Sequence, residues 1–266
     1  MWTGDVFHVK RPSFVSHALM QRLIDLFGEW PGRRLVILGN HDMGPAGVES
    51  VSRQPIGVLL RAGVLELMTE DLALTVDDRC VQLSPVHYAD DAVPEHYTLR
   101  RMKGVDLAIV VAHGAIMPPK QSPPFDHVSA SDIDTTGCDL LCYGHIHEDH
   151  GVYKVGSCRF VNFGSLGRVA RTGYNRRDVS VAVVSGDGTV TKVRLDTALP
   201  ADEVFITVEG EEDAEDGDLK AYARELVYAL QRGSSTSIED LLAEVSEGVG
   251  KNVKAGVVQY LNEAGL

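Results

Sequence analysis

Leu35-Val36-Ile37-Leu38-Gly39-Asn40-His41-Asp42 is the stretch on which the fold turns. Four consecutive apolar residues, with no polar residue between them, read as a short strand buried on both faces, the kind found inside parallel sheets. The pattern then switches at once to glycine and three polar residues, so the strand delivers its polar side chains at its C-terminal end. The design returns twice: Asp106 to Ala112 runs into His113-Gly114, and Cys138 to Tyr143 runs into Gly144-His145-Ile146-His147. Repeated units of strand and polar turn, with helical segments among them, predict an α/β sheet whose ligands gather beyond the strand ends.

On the N-terminal side of that stretch, Phe14, Ala18, Leu19, Leu23, Leu26 and Phe27 recur at helical spacing between Ser13 and Trp30. Ser13, after Pro12, is the predicted N-cap, and Gly32 closes the helical region. On the C-terminal side, Leu72 to Val76 and Cys80 to Val86 read as strands, and Gly114 to Asp134, rich in Pro, Ser and Asp, reads as a loop bordering the site. From His150 to Asp196 alternating valines and aromatics, punctuated by glycines and by Gly186-Asp187-Gly188, predict antiparallel hairpins and a second sheet. The expected organisation is one domain over 1–200, an acidic linker or edge strand over 201–218, and a helical region over 219–266.

Composition narrows the class. A chain of 266 residues that is 44 % hydrophobic can bury a full core. No apolar run approaches the roughly 18–20 residues that span a bilayer, and no basic-then-apolar leader opens the sequence, so a cytoplasmic protein without a membrane segment is expected. Cys80, Cys138, Cys142 and Cys158 lie in apolar stretches without zinc-knuckle spacing and read as buried thiols. The net charge of −13 argues against a broadly basic surface, yet residues 200–266 carry 15 acidic and 5 basic side chains, and residues 1–199 carry 23 and 20. The front of the chain is nearly neutral, and two divalent cations bound there would reverse its sign toward an anionic substrate.

The polar residues that end the strands are metal-ligand types. Asp5 offers a carboxylate able to bridge cations, Asn40 an amide oxygen, and His113, His145 and His147 offer imidazoles. Such a mixed oxygen and nitrogen set suits manganese, iron or zinc. Each piece alone has a bland reading: Gly39-Asn40-His41-Asp42 as a turn, His113 as a core histidine, Gly4-Asp5 as a loop. In this order, each after an apolar strand, they are specific as a set and a metal site is expected.

The series Gly4-Asp5-Val6-Phe7-His8, Gly39-Asn40-His41-Asp42, His113-Gly114 and Gly144-His145-Ile146-His147 resembles the calcineurin-like metallophosphoesterases over roughly residues 1–197. Within that superfamily, Gly-Asp-Val-Phe-His followed by Arg11-Pro12-Ser13, together with Val161-Asn162-Phe163-Gly164-Ser165-Leu166-Gly167-Arg168, looks most like the SbcD-type DNA repair nuclease subunit. The resemblance implies a four-layer αββα sandwich, two β-sheets flanked by helices, with two divalent ions at the strand ends. Manganese is the first expectation, with iron, zinc or magnesium as the others. It makes Asp5 the bridging carboxylate, with Asn40, His113 and His145 on one metal and His147 on the other. His41 becomes the acid, Asp42 its orienting partner, and His8 lies near the scissile phosphate. DNA is then the expected substrate, and a coiled-coil ATPase of SbcC type and a second copy of the chain are the expected partners.

The family pattern opens with a strand ending in Asp-x-His, and Gly-Asp already stands at residues 4–5 here. An N-terminally incomplete version of a longer protein is therefore expected, and upstream coding should read an apolar strand ending in Asp-x-His. The rival expectation is a chain that binds one metal, or that serves as a binding module. Arg168, Arg171, Arg176 and Arg177 form a basic cluster after the Gly-Ser-Leu-Gly turn, either to contact phosphates or to stand in a solvated loop. His17, His87, His96, His127 and His150 read as structural or surface residues, and Trp2 and Trp30 as packing residues. A small-molecule or phosphoprotein phosphoesterase shares every ligand and is the second function carried forward; a non-catalytic scaffold is the third.

Overall fold

The computed structural model describes residues 1–9, 12–168 and 177–204. The chain divides into two units, Met1–Val204 and Phe205–Leu266. The helices expected over 219–266, the linker beyond residue 204, Arg11, Arg171 and Arg176 lie outside the described residues. Residues Ala201–Val204 form a short helix where a linker or edge strand was expected.

The predicted first helix forms as α1 (His17–Glu29), one turn shorter at its start than the pattern suggested. Pro12–Phe14 takes a 3-10 turn, and the cap is Ser16, whose hydroxyl accepts the Leu19 N–H at 3.1 Å. The helix buries Phe27 and packs Met20, Leu23 and Ile24 inward. Strand β1 (Leu35–Val36) follows, then α2 (Pro55–Arg61), which Pro55 opens at its first position, and β2 (Glu66–Leu67), parallel to β1. Trp2 bridges Val36 in parallel on the other side: its N–H donates to the Leu35 carbonyl, and the Ile37 N–H donates to its own carbonyl. The first residues of the chain thus run alongside β1, and both segments end at glycine-led polar turns.

A six-stranded sheet carries most of the unit. Its strands are β3 (Leu72–Val76), β4 (Arg79–Val86), β5 (Leu107–Gly114), β8 (Leu140–His145), β9 (Asp149–Val155) and β10 (Cys158–Phe163). The spatial order is β3-β4-β5-β8-β10-β9, with β4, β5, β8 and β10 parallel and antiparallel partners at both edges. Strand β5 is buried along its whole length, because Ala108, Val110 and Ala112 face one core while Leu107, Ile109 and Val111 face another. That two-sided burial is why its sequence shows no alternation.

On one face the sheet packs against Leu35 of β1, against Ile37 just after it, and against Val184 and Val190, which belong to the hairpin of β11 (Ser180–Val184) and β12 (Val190–Arg194). Val36 and Leu38 point the other way, onto Phe27 of α1 and Ile56 and Leu59 of α2. Helices, a short sheet and a large sheet are therefore stacked in that order. The opposite face of the large sheet is covered by Tyr97, Ile116, Val128 and Ile133, from 3-10 turns and from the two-residue strands β6 (Ile116–Met117) and β7 (Val128–Ser129). Among the described residues that outer layer holds no α-helix, so the helices expected on both sides of the sandwich lie on one.

Two further expectations are redrawn. The hairpin of β9 and β10 belongs to the large sheet rather than to a second one, because β10 pairs in parallel with β8. The segment from Gly114 to Asp134 is not wholly loop, since it contains β6, β7 and a 3-10 turn at Ala130–Asp132. Trp2 meets Phe27 and Trp30 edge-on, as packing residues do. Cys138, Cys142 and Cys158 are buried free thiols, and Cys80 is half-buried.

Phe160 is fully buried between strands. Replacing it with alanine is expected to lower stability by about 3–5 kcal/mol through lost burial and the cavity left behind. Val58→Ala, at an exposed position of α2, is expected to shift stability by no more than about 0.5 kcal/mol. Midpoints of urea denaturation check both.

Candidate metal centre

Parallel register brings the ligands together. Strands β5 and β8 pair with His113 beside Gly144 and Gly114 beside His145, so both histidines leave the sheet at the same edge. Strand β1 lies on the face of that sheet, and the turn after it carries Asn40 to the same place. Trp2 and Thr3, running beside β1, bring Asp5. Gly4 has φ +88° and Asp5 φ +52°, so the turn reverses within two residues. A Cβ on Gly39 would collide with the Asp5 carboxylate and backbone. The two turns pass that closely only because residue 39 has no side chain.

Asp42 fastens them. Its carboxylate, 1 % exposed, accepts the N–H groups of Asp5 at 2.7 Å, Val6 at 3.1 Å and Gly39 at 3.0 Å. Asp5 answers by accepting the His41 N–H on Oδ1 at 2.8 Å. The ring of His41 is held by the main-chain carbonyl of His8, which faces its Nδ1. The hydrogen bonds that the Asp42 carboxylate accepts from the backbone therefore set the turns, and the His8 carbonyl orients the ring. Burial pushes the Asp42 carboxyl up to about 6, with the charge of Asp5 adding to it and the Gly39 and Asp5 N–H groups opposing it.

Three ligand groups converge. The Asp5, His113 and His145 ligand atoms lie within 4.8 Å of one another. His113, 1 % exposed, has its Nδ1 at 2.5 Å from the Thr3 carbonyl, an acceptor that places the proton on Nδ1. Its Nε2 lies 3.3 Å from Asp5 Oδ2 and 3.4 Å from Asn40 Oδ1, so it donates to them when the ring is protonated and presents a lone pair to a cation when it is neutral. His145 brings Nδ1 to 3.1 Å from the same Asn40 oxygen. Carboxylate, amide oxygen and imidazole lone pair all point inward, an arrangement that a cation or a shared proton must neutralise. Burial, and then the charge of His113, push the His145 imidazole down to about 4, so it stands neutral near pH 7, as a ligand must be. Burial would raise the Asp5 carboxyl, but the hydrogen bond and charge of His113 and the His41 N–H outweigh it and hold it below the usual range. His145 takes φ +92°, in the region that disfavours side chains. Strain of that kind is retained where surrounding contacts over-determine the site.

A second histidine group flanks the first. His8 stacks on His41 with ring centroids 5.3 Å apart and approaches His147 at 6.5 Å. Burial and the nearby charge of His8 hold the His147 imidazole below its ordinary value. Tyr88, which the sequence reading missed, lies 5.3 Å from the His145 ring and 6.0 Å from that of His113. Burial and a hydrogen bond with Asp90 push its phenol up to about 12. Asn162 donates to the Ile146 carbonyl at 3.1 Å and accepts the Gly164 N–H at 2.5 Å, bracing the histidine turn from behind. Arg177 reinforces it by donating to the carbonyls of His147 and Ser165. Arg168 directs its guanidinium to the main-chain carbonyls of Leu199, at 2.5 Å, and Arg177, at 3.2 Å. Those bonds engage it with the main chain, at a position for which the sequence left a phosphate contact and a solvated loop both open. His87 is structural as expected, its Nδ1 facing the Leu38 N–H at 3.0 Å.

A family model described as the calcineurin-like phosphoesterase superfamily domain matches residues 1–189. The chain belongs to that family. The family uses divalent metals, and Asp5, His113 and His145 form a partial site that could hold one. Among solved structures, the chain is similar to a Staphylococcus aureus protein assigned as a 5′-nucleotidase and solved with alpha-ketoglutarate, at 14 % identity and a TM-score of 0.38. The match covers 80 % of this chain and 46 % of that one, so the chain spans about half the length of that structure. No curated protein matches the chain. Among the described residues, no helix is long and apolar enough to cross a membrane.

Two outcomes follow for this centre. Asp42→Ala is expected to weaken divalent-metal binding at least tenfold in calorimetric titration, although Asp42 contributes no ligand atom to the converging group, because supporting hydrogen bonds fix ligand orientation. Affinity is also expected to fall as the pH is lowered toward about 4, where His145 takes up a proton. Below that value each further unit should cost about tenfold from that group, since the metal competes with a proton for the same nitrogen.

Proposed function

We propose that this chain is a metal-dependent phosphodiesterase of SbcD type that cleaves DNA. The observation that carries the reading is the pairing of two groups at one sheet edge. Asp5, Asn40, His113 and His145 converge as ligands, and His8 and His41 stack beside them with the His8 carbonyl on the His41 ring. The first group, two oxygen donors and two imidazoles, suits manganese, iron or zinc, and manganese is the first choice from the family resemblance. His147, whose ring lies 6.5 Å from that of His8, would serve a second ion. When bound, such ions supply a water of lowered pKa and neutralise charge on the phosphoryl oxygens.

The chain's own residues do the rest. Asp5 holds Oδ2 toward the ligand group while its Oδ1 is occupied by the His41 N–H, so one carboxylate links the two halves of the site. His113 keeps its Nδ1 proton on the Thr3 carbonyl and presents only Nε2 inward. His41, with Nδ1 directed at the His8 carbonyl, can hold a second proton on Nε2 and give it to the departing oxygen. His8, exposed and stacked on His41, is the residue we assign to contact the scissile phosphate.

A second reading has its own support. The commitment of the Arg168 guanidinium to backbone carbonyls favours a small phosphate ester over a long polyanion. End-labelled single- and double-stranded DNA and an aryl phosphomonoester, each assayed with manganese beside His113→Ala, separate the two. Loss of DNA strands that disappears in His113→Ala is the expected result; turnover of the monoester alone would replace the nuclease reading with the second. His41→Ala is expected to lower turnover by about 10²–10⁴ while leaving metal affinity unchanged, measured as turnover beside calorimetric titration.

A further inference from the structure

We propose that Cys138 and Cys158 are an oxidation site, at which hydrogen peroxide closes a disulfide that constrains the segment carrying His145 and His147. The two sulfurs lie 3.4 Å apart in the core, on residues that are 3 % and 0 % exposed. A disulfide brings its sulfurs to about 2.0 Å, so roughly 1.4 Å separates the contact from the bond. The backbone already holds the pair in place. Cys158 opens β10, and the residue after it, Arg159, pairs with Leu140 of β8 and donates its N–H to the Asp139 carbonyl at 3.0 Å. Closing the gap therefore falls to the two side chains rather than to the strands. Neither of the other cysteines competes. Cys142 lies on the opposite face of the sheet with Leu140 and Val161, whereas Cys138 and Cys158 pack with Leu141 and Phe160, and Cys80 stands on β4 with β5 between it and β8.

The hydrogen bond within the pair assigns the roles. Cys158 donates its S–H to the Cys138 sulfur; that bond holds the Cys138 thiol below its ordinary value against the effect of burial, and the same bond and burial together push Cys158 up. Cys138 is the sulfur that reacts first, because the thiolate is the nucleophile. Burial of both sulfurs selects an oxidant little larger than water. The Cys138 thiolate attacks one oxygen of hydrogen peroxide, the O–O bond breaks, and a sulfenic acid forms with hydroxide, which takes up the proton Cys138 had lost and leaves as water. The Cys158 sulfur then displaces the sulfenic hydroxyl, and its own proton departs with that hydroxyl as a second water. Two thiols are oxidised by two electrons, and one peroxide is reduced to two waters. The bond closes residues 138–158 into a loop. It lies where β8 and β10 begin, and β8 ends at His145, so the segment is tied at the end of the sheet away from the ligands.

Peptide mapping by mass spectrometry tests the site: the full chain is treated with hydrogen peroxide, unfolded, and alkylated at its remaining free thiols. A cross-linked peptide pair joining Cys138 to Cys158, lighter by two hydrogens and lost on treatment with dithiothreitol, is expected, with Cys80 and Cys142 alkylated. The thermal midpoint of the oxidised chain should rise by roughly 5 °C or more, because the closed loop restricts the unfolded chain. Cys158→Ser should remove both effects and Cys80→Ser should keep them. The same treatment in urea covers a variant that fails to fold, since the unfolded native chain should lose its preference for this pair. Four alkylated thiols after peroxide overturn the proposal, as does a cross-link that includes Cys80 or Cys142. A pair that forms as readily in urea, or one that leaves the midpoint unmoved, overturns it as well.

Discussion

Everything at the site depends on one buried carboxylate. Asp42 accepts N–H groups from residues 5, 6 and 39, so two segments separated by more than thirty residues in sequence are fixed to the same anion. Without it the Gly4-Asp5 turn would keep the parallel contact of Trp2 with β1, the Thr3 carbonyl on His113 and the Asp5 carboxylate on the His41 N–H, but no acceptor for its own N–H groups. Such ties matter more than their number suggests, because a buried donor left without an acceptor costs about 1–3 kcal/mol. The three donors and the single acceptor also leave little freedom in the distance between Asp5 and Asn40. That distance decides whether both can reach one ion.

The large sheet does the same work for the histidines by another means. Parallel pairing of β5 with β8 fixes His113 and His145 one register step apart, and the pairing of β8 with β10 places Asn162 where it braces the turn that contains His147. Neither histidine depends on a long flexible loop. Precision comes from strands buried on both faces, whose side chains are locked by the two cores they separate. The positive φ of His145 is tolerated for this reason: the turn is held from in front by Asn40 and from behind by Asn162 and Arg177.

Much of this was legible in the sequence because strand burial and ligand type leave strong local marks. Leu107 to Ala112 could be read as a central strand since both of its faces are apolar, and Asn40, His113 and His145 could be read as ligands since each ends such a strand. What was not legible depends on partners distant in sequence. The parallel pairing of β10 with β8 looks, residue by residue, like one more antiparallel hairpin. Ser13 and Ser16 are equally good caps in composition, and the 3-10 turn at Pro12 is what gives the role to Ser16. Arg168 shows its charge in the sequence but not that its guanidinium is committed to two carbonyls. Tyr88 gave no signal, because a tyrosine after a strand reads as packing until the rings it touches are known.

The inward-pointing atoms of the centre connect folding to chemistry. Asp5 Oδ2, Asn40 Oδ1 and the Nε2 lone pair of His113 repel one another when nothing positive lies between them, and burial removes the water that would otherwise screen them. The fold accepts that repulsion because Asp42, the β5–β8 register and the Thr3 carbonyl hold each group from outside the cluster. A cation entering the centre therefore relieves a cost already present in the folded chain, and the ligands need little rearrangement to receive it. The rigidity that makes the centre strained without a positive charge is what makes it selective for one, since a site already set to a fixed spacing gains least from ions that fit it poorly.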